Sequence, residues 1–183
     1  MQALVSAYAH APTRVAAGRL SLPFAYAPAP AITRGAATHA VPPEVRIAAA
    51  QIEEDERDAR TPAALHLLGI ARLALGDLDG AVAVLEQAAQ AGSSDAAMQN
   101  DLAAAYLERA RATSDAADLT KALAAADRAV ALDPRSPAAL FNRALALSAL
   151  GRPDARQAWT LVSTSERDAG WLSEADRRAS EYR

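Results

Sequence analysis

The sequence predicts an all-α fold: a solenoid of antiparallel helix hairpins with capping helices at its ends. Three observations carry that prediction. Hydrophobic residues make up 51% of the chain but aromatics only 4%, so the excess is alanine and leucine, which favour helix and let helices approach closely. The stretch Thr61–Gly92 reads as two amphipathic helices meeting at Gly76-Asp77. Leu65, Leu68, Ile70, Leu73 and Leu75 form the apolar face of the first, and Leu78, Ala81, Val82, Val84, Leu85 and Ala88 that of the second. One such pair cannot bury its own apolar face, and its pattern returns further along the chain.

Residues 1–43 do not read as a packed domain; they read as an extended, Pro/Ala-rich N-terminal segment. Met1–Ala9 suits a short helix, Leu20–Pro30 is rich in Pro and Ala, and a Gly/Thr/His linker leads to Pro42-Pro43. Pro23, Pro28, Pro30, Pro42 and Pro43 lack N–H donors and bias their neighbours to extended geometry. Phe24 and Tyr26 project to one side of an extended chain, and the segment is expected to dock on another surface through Leu20, Leu22, Phe24 or Tyr26.

Residues 44–60 read as a helix, with Val45, Ala48, Ala49 and Ile52 at helical spacing, that covers the open end of the first repeat. The run Glu53-Glu54-Asp55-Glu56 reads as a solvated face, because a calcium loop needs oxygen ligands at alternating positions and a Gly turn. Residues 61–183 then form the repeat array. Thr61-Pro62 is a start signal: the hydroxyl caps free N–H groups and proline fits the first helical position. The first unit, Pro62 to Asp95, is 34 residues long. The second, Ala96 to Ser136, is 41, with about seven extra residues around Ala110–Asp118. Seven residues are about two helical turns, so both helices lengthen around a turn near Ser114-Asp115 and the apolar stripes stay in phase. The third unit opens on Ser136-Pro137, turns at Leu150-Gly151 with a turn one residue shorter than in the first, and carries Arg143 where the first has a leucine, which weakens its core. Trp171, Leu172, Ala175 and Ala179 give a final capping helix with Arg177-Arg178 facing solvent.

Composition limits function. Lys+Arg 19 against Asp+Glu 22 gives a net charge of −3, unlike the basic stripe of a nucleic-acid binder. The apolar runs fall short of the roughly 20 residues of a membrane span. The N-terminus lacks a basic region before its apolar part, so the expected compartment is the cytoplasm. There is no cysteine, and His10, His39 and His66 are widely spaced, so no metal site is expected. Neither a Gly-x-Ser-x-Gly elbow nor a Gly-x4-Gly-Lys loop occurs, so no catalytic residue and no cofactor is expected.

The unit length and the series Leu65-x2-Leu68-Gly69-x2-Arg72 with Ala81-x3-Leu85, Gln99-x2-Leu102-Ala103-x2-Tyr106 with Ala122-x3-Ala126, and Leu140-x2-Arg143-Ala144-x2-Leu147 with Ala155-x3-Trp159 resemble the tetratricopeptide repeat over roughly residues 62–165. Gly69 and Ala81 stand where two helices cross. The segments GRLSLPFAYAP (18–28), TPAALHLLGIARLALGDLDGAVAVLEQA (61–88), NDLAAAYLERA (100–110), ADLTKALAAADRAVALDP (117–134), LFNRALALSALG (140–151) and Trp159…GWLSEA (170–175) also look like the repeat region of bacterial CHAT-domain proteins. Those proteins are caspase-like, and their repeats are thought to hold or regulate a His/Cys protease domain. With no cysteine here, the resemblance implies the repeat module and not the protease activity.

The resemblance further implies a right-handed array whose first helices line a concave groove. By the family's positions the groove side chains are His66, Ile70, Leu73 and Ala74, then Asn100, Ala104, Leu107 and Glu108, then Phe141, Leu145, Ser148 and Ala149, with Asn142 beside them. Of these, His66, Ile70, Leu73, Asn100, Leu107, Glu108, Phe141, Asn142 and Leu145 are the candidate partner-binding residues. Asn100 and Asn142 suit either a structural hydrogen bond to a neighbouring loop or a ligand contact, and Ile70, Leu73 and Leu107 suit cover by the N-terminal segment or another helix. The Lys/Arg/Asn pattern that clamps a C-terminal carboxylate in some relatives is missing. The groove reads as apolar with a few amides, without convergent polar groups, and its occupant as a helix or an extended apolar segment.

Two functions follow. The first is a protein–protein interaction scaffold for a peptide, helix or effector domain, with a CHAT-type domain as one candidate, and without enzymatic activity. The alternative is a small-molecule-binding or enzymatic helical domain that uses a cavity between the repeats and the N-terminal segment.

Overall fold

The structure is a computed structural model that describes residues 1–9, 11–29, 41–56, 58 and 60–182. Among the described residues it is all helical, an α-solenoid of nine helices and no strand: α1 Gln2–Tyr8, α2 Pro43–Asp55, α3 Pro62–Leu75, α4 Leu78–Ala91, α5 Ala96–Thr113, α6 Ala116–Leu132, α7 Pro137–Ala149, α8 Ala155–Ser165 and α9 Ala169–Ser180.

Local chemistry sets these boundaries. Thr61 Oγ1 accepts from the Ala64 N–H at 3.2 Å and Ser136 Oγ from Ala139 N–H at 3.3 Å, each followed by proline in the first turn. Asp77, Asp95, Asp115 and Asp168 cap α4, α5, α6 and α9 in the same way. Gly76 ends α3 at φ 82°, a left-handed conformation that glycine adopts without strain.

Helices α3 and α4, α5 and α6, and α7 and α8 pair as hairpins, and each hairpin packs on the next. The first helices also touch one another, α3 on α5 and α5 on α7, and so form one inner wall. The α3/α4 crossing is tight: a Cβ on Gly69 would stand 2.4 Å from Leu85 Cγ. Helix α9 packs on α8, α2 on α3, and α1 on α2, where Leu4 and Val45 are fully buried.

Three features differ from the sequence reading. Helix α2 stops at Asp55 and does not reach residue 60. Its acid run Glu53-Glu54-Asp55-Glu56 falls at the helix C-terminus, where the dipole disfavours negative charge. The link between α7 and α8 spans residues 150–154 and is longer than the two-residue turn at 76–77. Gly151 at φ 64° turns the chain, and Arg152 N–H caps the Leu147 carbonyl at 2.9 Å. Arg143 does not stand in the core; it reaches Asp127 on α6 at 2.6 Å.

The inner wall as a candidate partner-binding face

The inner wall is not empty. Residues 11–29, without regular secondary structure, run along α5, α7 and α9. Residues 14–28 form a closed loop: the Arg14 backbone N–H donates to the Pro28 carbonyl at 3.1 Å. Compact loops of this length with paired ends are a known class of surface structure. This one is set into the solenoid, with Ala16, Ala17 and Leu20 buried.

Side chains of the array grip the loop backbone at every second residue. The Ala17 N–H donates to Glu108 Oε2 at 2.8 Å, Arg19 N–H to Asn142 Oδ1 at 2.7 Å, and Ser21 N–H to Asp101 Oδ1 at 2.7 Å. Asn142 also donates from Nδ2 to the Arg19 carbonyl at 2.8 Å, and Asn100 Nδ2 donates to the same carbonyl at 3.0 Å. One residue is thus held by both its N–H and its C=O. The two asparagines fix each other, Asn142 Nδ2 donating to Asn100 Oδ1 at 2.9 Å. All four gripping residues are buried, and their polar atoms use the loop as a partner, which burial requires. Gly18 must be small here, since a Cβ would lie 2.8 Å from Asn142 Oδ1 and 3.0 Å from Ala104 Cβ.

Around this clamp lie charged groups. Asp101, fully buried, also accepts from Asn100 Nδ2, from Ser21 Oγ and from His66 Nε2 at 2.8 Å. The Arg14 guanidinium is buried and uses all of its reach: two bonds to Glu174, at 2.7 and 3.1 Å, and others to the carbonyls of Ala16, Ala17 and Ala27. Burial pushes the Glu174 carboxyl up, but the bonds and charge of Arg14, with Arg178 behind, outweigh burial and hold it below the usual carboxylate range. Glu166 follows the same logic: burial raises it, while the N–H groups of Asp168 and Arg167 and the ion pair with Arg19 lower it further. Trp171 lies between these pairs, with the Arg14 and Arg19 guanidinium carbons 4.7 and 4.6 Å from its ring centroid. Tyr26 and Phe141 meet the same ring edge-on at 5.2 and 4.9 Å.

The sequence-predicted residues divide into two groups. His66, Asn100, Glu108 and Asn142 come together around the loop, directly or through Asp101. Ile70, Leu73, Leu107, Phe141 and Leu145 are buried in the core. Tyr8 of α1 reaches the Ala74 carbonyl at 3.4 Å, which brings α1 over the end of α3. Phe141 is fully buried and meets Trp159 as well as Trp171. His10 and His39 lie outside the described residues, as do Pro30 and the linker that follows it.

One expectation needs correction. The groove is not apolar with a few amides: Asn100, Asp101, Glu108 and Asn142 converge on one short stretch of backbone. A small cavity of about 20 Å³ lies within the segment's own fold, closed by Tyr8 and Trp171, and holds roughly one water molecule. Sequence reasoning missed Arg14, Gly18, Arg19, Asp101, Glu166 and Glu174. A signal existed for Glu174, which lies three residues after Trp171 and so shares its buried helix face.

The fold and this face define a helical-repeat solenoid that holds a polypeptide segment on its inner wall. A family model of the tetratricopeptide repeat matches residues 62–91, the hairpin α3–α4, and supports a tetratricopeptide-repeat protein. No curated protein matches the chain. Among the described residues no helix is long and apolar enough to cross a membrane.

Proposed function

We propose that the chain is a protein–protein interaction scaffold whose inner wall binds a polypeptide segment, and that the loop 14–28 occupies that wall until a partner displaces it. The repeat type supports the first part, since tetratricopeptide repeats generally mediate protein interaction and are a scaffold type, not an enzymatic one. The observation that carries the reading is the backbone grip at Ala17, Arg19 and Ser21. Groups that bond main-chain N–H and C=O at alternate residues accept any segment of the right shape, and neighbouring side-chain contacts then select among them. Asn100, Asp101, Glu108 and Asn142 supply the grip, with His66 bonded to Asp101 behind it, while Ile70, Leu73, Leu107, Phe141 and Leu145 shape the wall beneath it. The resemblance to the repeat region of CHAT-domain proteins makes a CHAT-type effector domain one candidate bearer of the segment.

The test uses the full chain carrying Gly18→Val, whose side chain cannot fit against Asn142 and Ala104 and so releases the loop without changing the wall. A random-peptide display library is panned on this variant and on the same variant with Asn142→Ala. Enrichment on the first that is lost on the second is expected. No enrichment on the released wall overturns the reading.

A further inference from the structure

We propose that the segment this wall recognises is a diarginine one: arginines five residues apart, glycine directly before the second, and a small or aliphatic residue on either side of that pair. This rests on the reading of the wall as a segment-binding face. It names the chemistry of the occupant.

The wall offers two guanidinium seats, each built from an aromatic ring and a buried carboxylate. The first is Glu174 with Trp171 and Phe141; the Arg14 guanidinium stands 4.7 and 5.5 Å from the two ring centroids and makes two bonds to the carboxylate. The second is Glu166 with Trp171, taken by Arg19. Glu174 and Glu166 side chains are only 3% and 4% exposed. With the loop seated both carboxylates are buried and a cation from the loop offsets their desolvation, Arg14 adding to the Arg178 that Glu174 already has on its own helix and Arg19 pairing with Glu166.

The seats differ in what they demand. At the first, the guanidinium fork bonds Glu174 and also the carbonyls of Ala16, Ala17 and Ala27, so it shapes the loop while pinning it. A lysine ammonium has three donors and no fork, and cannot reproduce that pattern. At the second, the cation meets one carboxylate and one ring face, which an ammonium can serve in part. Between the seats the Asn142 clamp and the Ala104 backbone leave space for glycine alone.

Charge points the same way. The first 40 residues carry three arginines and no acid, and the remaining 143 carry 16 basic and 22 acidic residues, a net charge of −6. The resident loop is therefore the cationic piece of an otherwise acidic protein, and a competitor must match it.

The test is direct binding of a fluorescent synthetic peptide of residues 11–29 to the full chain carrying Gly18→Val, read by anisotropy. The peptide should bind the variant at least tenfold tighter than the parent, whose wall is filled. Peptides with Arg14→Lys or Gly18→Val should bind at least tenfold more weakly, and one with Arg19→Lys by less than that. Equal binding of all these peptides overturns the proposal. Library enrichment of segments without arginine overturns it too, while leaving the segment-binding reading in place. A released wall that enriches nothing brings down both. If Gly18→Val does not fold, amide exchange of the parent chain decides. Excess peptide should deprotect the Ala17, Arg19 and Ser21 amides of the resident loop, and the Arg14→Lys peptide should not. The same exchange with both peptides overturns the diarginine requirement.

Discussion

At the scale of single residues, packing sets what each position tolerates. The Gly69 contact with Leu85 leaves no room for a side chain, so Gly69→Leu is expected to cost at least about 1–3 kcal/mol as an overpacked crossing. Leu85→Ala, from a fully buried site, should cost about 2–5 kcal/mol. Urea melts of both variants measure this, and parent-like midpoints would show that α3 and α4 do not cross here. Phe141 belongs with these core residues, enclosed by Trp159 and Trp171. Phe141→Ala should cost about 3–5 kcal/mol and flatten the near-ultraviolet circular dichroism of the tryptophans. A variant with parent stability would mean the aromatic cluster is not formed. Asn142→Ala acts differently. It removes a clamp and leaves the Arg19 peptide short of partners, a loss of about 1–3 kcal/mol that should appear first as faster exchange of the loop amides.

At the scale of elements, the helices and the loop respond to different variables. Leucine contacts do not titrate, and the aspartate caps act only at the helix ends, whereas the loop hangs on Glu174 and Glu166. Both carboxyls sit below their ordinary value near 4.5 in the folded chain. A depressed carboxyl contributes stability above its unfolded value and loses it as pH falls through the folded one. Arg14, Arg178 and Tyr26 surround Glu174, so its carboxylate faces two guanidinium groups and one phenol. The loop is therefore expected to undock below about pH 4.5, with helix content retained longer. Tryptophan emission and far-ultraviolet circular dichroism followed together test this, and coincident acid transitions would contradict it. Legibility in the sequence divides along the same line. The hairpins could be read because Thr61-Pro62, Gly76-Asp77 and the leucine spacing are local signals. The apolar residues from Leu20 to Tyr26 marked the loop as a docking segment without showing where it docks. Its anchors, Arg14 on Glu174 and Ser21 on Asp101, join residues 160 and 80 positions apart, and no local pattern encodes such pairs.

At the scale of the whole molecule, the hairpin order α3–α4, α5–α6, α7–α8 was legible because a repeat states its own period. What periodicity leaves out is the element that breaks it. Stacked repeats touch only neighbours, so unfolding can proceed piecemeal along the stack. Here one loop touches α5, α7 and α9 at once. The parent is expected to melt in one transition with coincident probes, and the Gly18→Val chain in a broader one in which the probes separate. Equally sharp melts would show that the loop does not couple the hairpins. The same loop sets a timetable for synthesis. Arg14 is made before its partner, and Glu174 is added 160 residues later. At roughly 5–20 residues per second that is a wait of about 8–30 s. For that interval the nascent loop can meet Asp101, Glu108 and Asn142 as α5 and α7 emerge, but the seat of its Arg14 guanidinium is still to come.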